Sequence, residues 1–251
     1  TQSRSSAASD VYKRQVWYRY SLSSPQIAAR QRILITEANF WCTDNNKEYI
    51  ELYNAGSLPC DLRLWSISDL DSTTIIASNS AVVFPGHFVL IKPGNPAASG
   101  SSSSGSGLLQ LFVPSLNFTG TDDQLVLINT NDIYVDCVLW NNNDASLAAG
   151  ETTDFNSLAE YMWRASAITN VTQYNAATVR QSGSQTANGQ SLYRIPDYDV
   201  YPDTDTTNDW IVVSGLQGTP GEHNPGFVPE PAALALTLLI TTVRCRSRML
   251  S

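Results

Sequence analysis

The loop running from Asp197 to Asp209 gathers more potential ligand oxygens than any other stretch of this sequence. Five aspartates, an asparagine and the intervening carbonyls suit calcium, which takes about six to eight oxygen ligands. Asp199, Asp203, Asp205 and Asp209 are the expected set for a structural Ca²⁺; no other cofactor is expected. The spacing is not that of an EF-hand, and no glycine occupies the sharp turn, so a plain solvated turn is the competing reading. Glu37, Glu48 and Glu51 are the other conspicuous acids. Glu48 and Glu51 would make an acid–base pair if they converged. Residues three apart on a strand point to opposite faces, so the expectation is turn-capping and solvent-facing acids. His87 has no Ser or Cys nucleophile pattern beside it, and His223 falls in a linker-like stretch that reads as solvated. Of the four cysteines none forms a CxxC pair, and with two histidines in the chain no zinc spacing is available. Cys42 and Cys60 flank one predicted strand and are the candidate disulfide if the protein is exported, with two independent thiols as the alternative.

The elements that must position these residues are strands. Aromatics make up 10% of the chain and charged residues 15%, with many Thr, Ser, Asn and Val, a composition that favours strands. Ile33–Ile35 is a short apolar run. Residues 48–53 alternate acidic with apolar side chains, as a half-buried strand does. Residues 62–67 alternate again, and a turn at Phe84-Pro85-Gly86 precedes a strand over 87–91. Residues 125–128 and 133–138 form a pair joined across Asn129–Asp132, and 191–195 and 210–213 supply two more strands. The best helical candidate is Ser157–Ala167. Ser99–Gly107 is a low-complexity loop inserted between strands. Residues 141–190 read as a long polar connection, and the sequons at Asn117 and Asn170 mark surface loops. Many short strands with frequent turns indicate a β-sandwich.

Charge narrows the partners. Between residues 33 and 228 there are 21 acidic side chains against 6 basic ones, within a formal net charge of −8 for the whole chain. Such a surface repels a phosphate backbone, so no nucleic-acid partner is expected.

The two ends stand apart from the sandwich. Ser5–Gln15 resembles translated sequencing-adapter peptide, and the chain begins at Thr1. Residues 1–31 are therefore read as a non-native or disordered segment, with the native start and any leader lost upstream. At the other end Pro229-Glu230-Pro231 leads into the twelve-residue apolar run 232–243 and then Arg244, Arg246 and Arg248. As a short hydrophobic helix this run spans about 18 Å, against a hydrocarbon core of about 30 Å. The terminal arginines orient it with its C-terminus in the cytoplasm. It fits transient membrane engagement. The arrangement resembles the PEP-CTERM sorting signal of exported bacterial proteins. That resemblance implies an exosortase-type sorting peptidase as partner, with Pro229, Glu230 and Pro231 as its recognition motif and the three arginines as the basic end.

The body carries a second resemblance. Ile35-Thr36-Glu37, then Glu48–Asn54, then Asp61–Asp69, then Pro85–Leu90 and Asp122–Leu127, closing with Asn208-Asp209-Trp210 and Thr219-Pro220-Gly221, is similar to a bacterial lamin tail domain. Leu64 stands where the family usually has glycine before the tryptophan, and the 129–132 turn lacks glycine. The resemblance implies an all-β, immunoglobulin-like sandwich over residues 32–225, without catalytic activity of its own, followed by a sorting tail at 226–251. The expected function is an exported, non-catalytic binding or structural module of the cell envelope or extracellular matrix, with an unidentified ligand there. Two alternatives remain: an extracellular calcium-dependent hydrolase using the Asp197–Asp209 loop, and the C-terminal fragment of a larger exported enzyme.

Overall fold

Apolar residues placed two apart build two sheets whose facing sides exclude water. The computed structural model describes residues 32–40, 42–44, 47–69, 72–94, 102–103, 108–113, 122–141, 169–180 and 189–228. In chain order the strands are β1 (Ile33–Phe40), β2 (Tyr49–Asn54), β3 (Cys60–Asp61), β4 (Ser66–Ser68), β5 (Thr73–Ile75), β6 (Val82–Val83) and β7 (Phe88–Pro93). They continue with β8 (Ser102–Ser103), β9 (Leu109–Val113), β10 (Asp122–Ile128) and β11 (Tyr134–Asn141). Helix α1 (Val171–Ala177) then precedes β12 (Val179–Arg180), β13 (Gln190–Arg194) and β14 (Trp210–Ser214). The larger sheet has the order β14-β13-β1-β2-β7-β9-β8, the smaller β12-β11-β10-β4-β5, and β3 pairs with β6. Neighbours are antiparallel except β7 with β9 and β11 with β12.

The core lies between the two sheets. Ile35, Phe40, Ile50, Leu52, Ile91 and Leu192 meet Ile67, Leu125, Leu127, Val138 and Trp140 there. Phe40 packs on Trp140 with ring centroids 4.8 Å apart. The architecture is the all-β sandwich that the strand pattern implies, of the immunoglobulin-like kind that the resemblance implies.

One irregularity decides the chemistry of β1. Ile35 pairs with Leu52 but Glu37 pairs with Glu51, so Thr36 is an extra residue on β1. Such a bulge shifts the alternation by one position. Ile33 and Ile35 face the core before it, Ala38 and Phe40 after it, and Glu37 is turned to the opposite face. That face is not solvent, because residues 215–228 return across it as a strap. All eight residues of β1 are buried.

Several expectations need revising. Residues 62–67 are not one strand: Arg63 makes an isolated bridge to Ala77, and the chain pairs as β4 only from Ser66. The break comes at Leu64, whose φ of 61° is incompatible with an extended strand. Asp132, with φ of 56°, fills the left-handed position in the 129–132 turn. Asn129 Oδ1 caps that turn, accepting from the amides of Asn131 (2.9 Å) and Ile133 (3.2 Å). Within the Ser/Gly-rich stretch, Ser102–Ser103 pairs with β9 at the sheet edge. The polar connection contains α1, capped by Asn170, whose side chain accepts from the Gln173 amide. The candidate helix Ser157–Ala167, the apolar tail 232–243 and the motif residues Pro229, Glu230, Pro231, Arg244, Arg246 and Arg248 lie outside the described residues.

Candidate functional site

Two buried polar centres flank β1, and between them they use most of the chain's conspicuous acids. The first lies between the sheets. Arg194 follows Leu192 by two residues on β13 and so shares its inward face. The side chain is only 1% exposed. Its Nη2 donates to both oxygens of Asp136 on β11, at 2.7 and 2.6 Å. Nε donates to the Ile35 carbonyl at 3.0 Å, and Nη1 to the Pro202 carbonyl at 2.8 Å and Asp203 Oδ1 at 3.3 Å. Asp209 Oδ2 stands 3.7 Å from Nη1, and the guanidinium lies over the Trp210 ring at 4.5 Å. Asp136 Oδ2 also accepts the Ile35 amide at 2.7 Å, beside the bulge where the ladder is interrupted. Each of the three guanidinium nitrogens finds an acceptor, which is what a buried arginine requires. Burial works against its charge, but Asp136, Asp203 and Asp209 outweigh it and hold the guanidinium above its ordinary value. Burial likewise pushes the Asp136 carboxyl up, against the pull of Arg194.

The four aspartates of the calcium expectation, Asp199, Asp203, Asp205 and Asp209, have separate engagements within the chain. Asp203 and Asp209 turn towards Arg194, and Asp209 also accepts the Thr204 amide and hydroxyl, both at 2.7 Å. Asp199 sits in the separate turn closed by Asp197 and Val200. Asp205 is buried with φ of 57°. No group of three or more metal-ligating side chains forms among the described residues. The cation this loop surrounds is the arginine of its own chain.

The second centre lies on the opposite face, under the strap. Glu37 Oε1 accepts from the Tyr49 hydroxyl at 2.8 Å and from the Ser191 hydroxyl, and Oε2 accepts the Thr219 amide at 3.0 Å. Glu51 Oε2 accepts the Gly221 amide at 2.6 Å, and Oε1 accepts from the Thr36 hydroxyl at 2.7 Å. Burial pushes Glu37 up, and pushes Glu51 up to about 8, with the nearby Glu37 charge adding to the latter. The same burial raises the Tyr49 and Tyr201 hydroxyls. Asn224 fastens the strap further along. Its Nδ2 donates to the carbonyls of Thr36 and Arg194, both at 2.9 Å, and its amide donates to the Tyr201 hydroxyl at 2.9 Å. Gly218 passes so close that a Cβ there would stand 2.5 Å from the Tyr49 hydroxyl and 2.6 Å from Glu37 Oε1.

The expectation of solvent-facing acids is therefore wrong. Glu37, Glu48 and Glu51 are all buried, Glu37 and Glu51 beneath the strap and Glu48 against the Cys42 amide. Glu48 and Glu51 do remain apart: Glu48 accepts the Cys42 amide at 3.2 Å, whereas Glu51 meets Glu37. His223 is half-buried, not solvated, with its ring parallel to Phe227 at 3.5 Å and edge-on to Tyr53 and Phe88. His87 is exposed, with Phe84 edge-on at 6.0 Å. Cys42 and Cys60 are separate thiols, so the candidate disulfide is not formed. Cys42 meets Glu48 at the entry to β2, while Cys60 pairs with Val83 beyond its exit. A six-residue strand spans about 20 Å. A disulfide needs Cα atoms within about 7 Å. Burial raises both thiols to about 11.

Arg194, Asp136 and the Glu37–Glu51 pair are the residues that sequence reasoning missed. Alternation places Arg194 and Leu192 on one face, and an arginine on an apolar face was the available signal for a buried ion pair. Nothing in the sequence marked the bulge that brings Glu37 opposite Glu51.

Fold and centres together define an all-β sandwich whose acids brace its own chain. Residues 26–142 match the family model of the Lamin Tail Domain, just under half of the sequence. The match takes in β1 to β11 and stops before β13 and β14, although β13 sits beside β1 in the larger sheet. No curated protein matches the chain.

Proposed function

We propose that this chain is an exported, non-catalytic binding or structural module that residues 229–248 deliver to the cell envelope or extracellular matrix through an exosortase-type peptidase. The observation that carries the reading is the ordered tail: Pro229-Glu230-Pro231, a twelve-residue apolar run, then Arg244, Arg246 and Arg248. The run is too short for comfortable permanent spanning and ends in the positive charge that stays cytoplasmic. The end of the sandwich supports it as well. Val228, whose amide donates to the Tyr198 carbonyl at 2.8 Å, directly precedes Pro229. A non-catalytic role is supported by the engagement of the notable acids, Glu37, Glu51, Asp136, Asp203 and Asp209, with partners in the same chain. The resemblance to lamin tail domains points the same way.

Cell fractionation tests this reading. Produced with a leader in a host that has an exosortase, the intact chain is expected in the envelope or medium without its tail. A variant with Pro229, Glu230 and Pro231 all replaced by alanine is expected to stay membrane-bound and full-length. Identical distribution of both chains would refute sorting by this motif.

A further inference from the structure

Glu37 and Glu51 are direct cross-strand partners, so their Cβ atoms stand about 5 Å apart on one face. The groups packed around them are Thr36 from β1, Tyr49 and Tyr53 from β2, Ser191 from β13, Tyr201 from the acidic loop, and Thr219, Gly221, His223 and Asn224 from the strap. Glu222, the strap's own acid, is exposed. Burial holds His223 towards its neutral form, and no lysine or arginine pairs with either carboxylate among the described residues. Two adjacent buried carboxylates without a cation do not both ionise readily.

The hydrogen bonds apportion the single charge. Glu37, with three donors, has the surroundings of an anion. Glu51 has those of a neutral acid. With Glu51 protonated the 2.7 Å contact to Thr36 Oγ1 reverses, Oε1 donating, while the Thr36 hydroxyl turns to the Glu51 carbonyl at 3.5 Å and Oε2 accepts from Gly221. A second charge would need water. Both acids sit on interior strands of the larger sheet, so the strap is the cover that can lift without breaking strand pairing.

We infer that residues 218–224 are a proton-held latch, closed over β1 and β2 while the Glu37–Glu51 pair keeps one proton, on Glu51, and opened when that proton is lost. The latch does not depend on whether residues 229–248 are processed. It gives the segment just before the sorting motif a pH-dependent hold on the fold.

Amide hydrogen exchange on the full chain, expressed as protection factors from about pH 6 to about pH 9.5, tests the latch. Residues 218–224 are expected to lose at least about ten-fold protection over that range while β1 and β2 keep theirs. Glu51→Gln, which carries no proton to lose, is expected to keep the strap protected throughout. In the wild-type chain the ¹³C shift of the Glu51 carboxyl should titrate with the same midpoint as strap opening. Strap protection that does not change with pH, or that falls equally in Glu51→Gln, overturns the latch. Should Glu51→Gln fail to fold, the two wild-type midpoints decide the matter, and their disagreement overturns it.

Discussion

Arg194 joins the two sheets through one side chain. It leaves β13 in the larger sheet and takes both oxygens of Asp136 on β11 in the smaller one. Arg194→Met would leave Asp136 buried with its main partner gone, a change that costs about 3–5 kcal/mol. Adding Asp136→Leu removes the stranded charge, so the double variant should recover part of that loss; urea midpoints measure both. The separation of 58 positions between Asp136 and Arg194 explains why the pair was not legible in the sequence, where the strand over 191–195 was. Leu64 is a contrary case, since its position was flagged as one where glycine is usual. It adopts φ of 61° while 51% exposed. A non-glycine residue in that region costs about 1–2 kcal/mol. Leu64→Gly should therefore stabilise the chain by roughly 1 kcal/mol, after allowing for glycine's greater freedom when unfolded. Glu51 sets a pH dependence. Burial raises its folded value to about 8 from an ordinary 4.5, so the folded state holds the proton more tightly than the unfolded state. The stability this contributes is fully present below pH 4.5 and is lost as pH rises through about 8. Urea midpoints should fall between about pH 5 and pH 9, and Glu51→Gln should flatten that fall.

Among the elements, most of the long strands were readable, β9 (Leu109–Val113) being missed, and the shortest were not. β1, β2, β7, β10, β11, β13 and β14 each contain an apolar or alternating run that the sequence displays, even where the strand extends beyond it. β5 and β6 are two or three residues long and carry no period that can be recognised. α1 was also missed, although Asn170 and Gln173 have the spacing of a helix start. The strap escaped for a different reason: it has no regular ladder and is held by side chains from distant strands. Gly218 is where it comes closest. Gly218→Ala would force a methyl group against the Tyr49 hydroxyl and Glu37, and should cost about 1–3 kcal/mol. The signature beyond lost stability would be faster amide exchange confined to residues 215–228, with β1 and β2 unchanged.

At the scale of the whole molecule, the strap and tail are consecutive: the strap closes the outer face of the larger sheet, and the chain leaves it at Val228 for the motif at Pro229. The acidity of the sandwich, concentrated between residues 33 and 228, is partly consumed inside it by Arg194 and by the strap amides. What remains outside still disfavours a nucleic-acid partner. The proposed delivery of the sandwich depends on residues 229–248 acting as a removable tail. Its most direct test is the intact mass of the exported protein, produced with a leader in a host that has an exosortase and in one that lacks it. Loss of the segment after Val228 only in the first host is the predicted result; full-length protein in both would contradict the account.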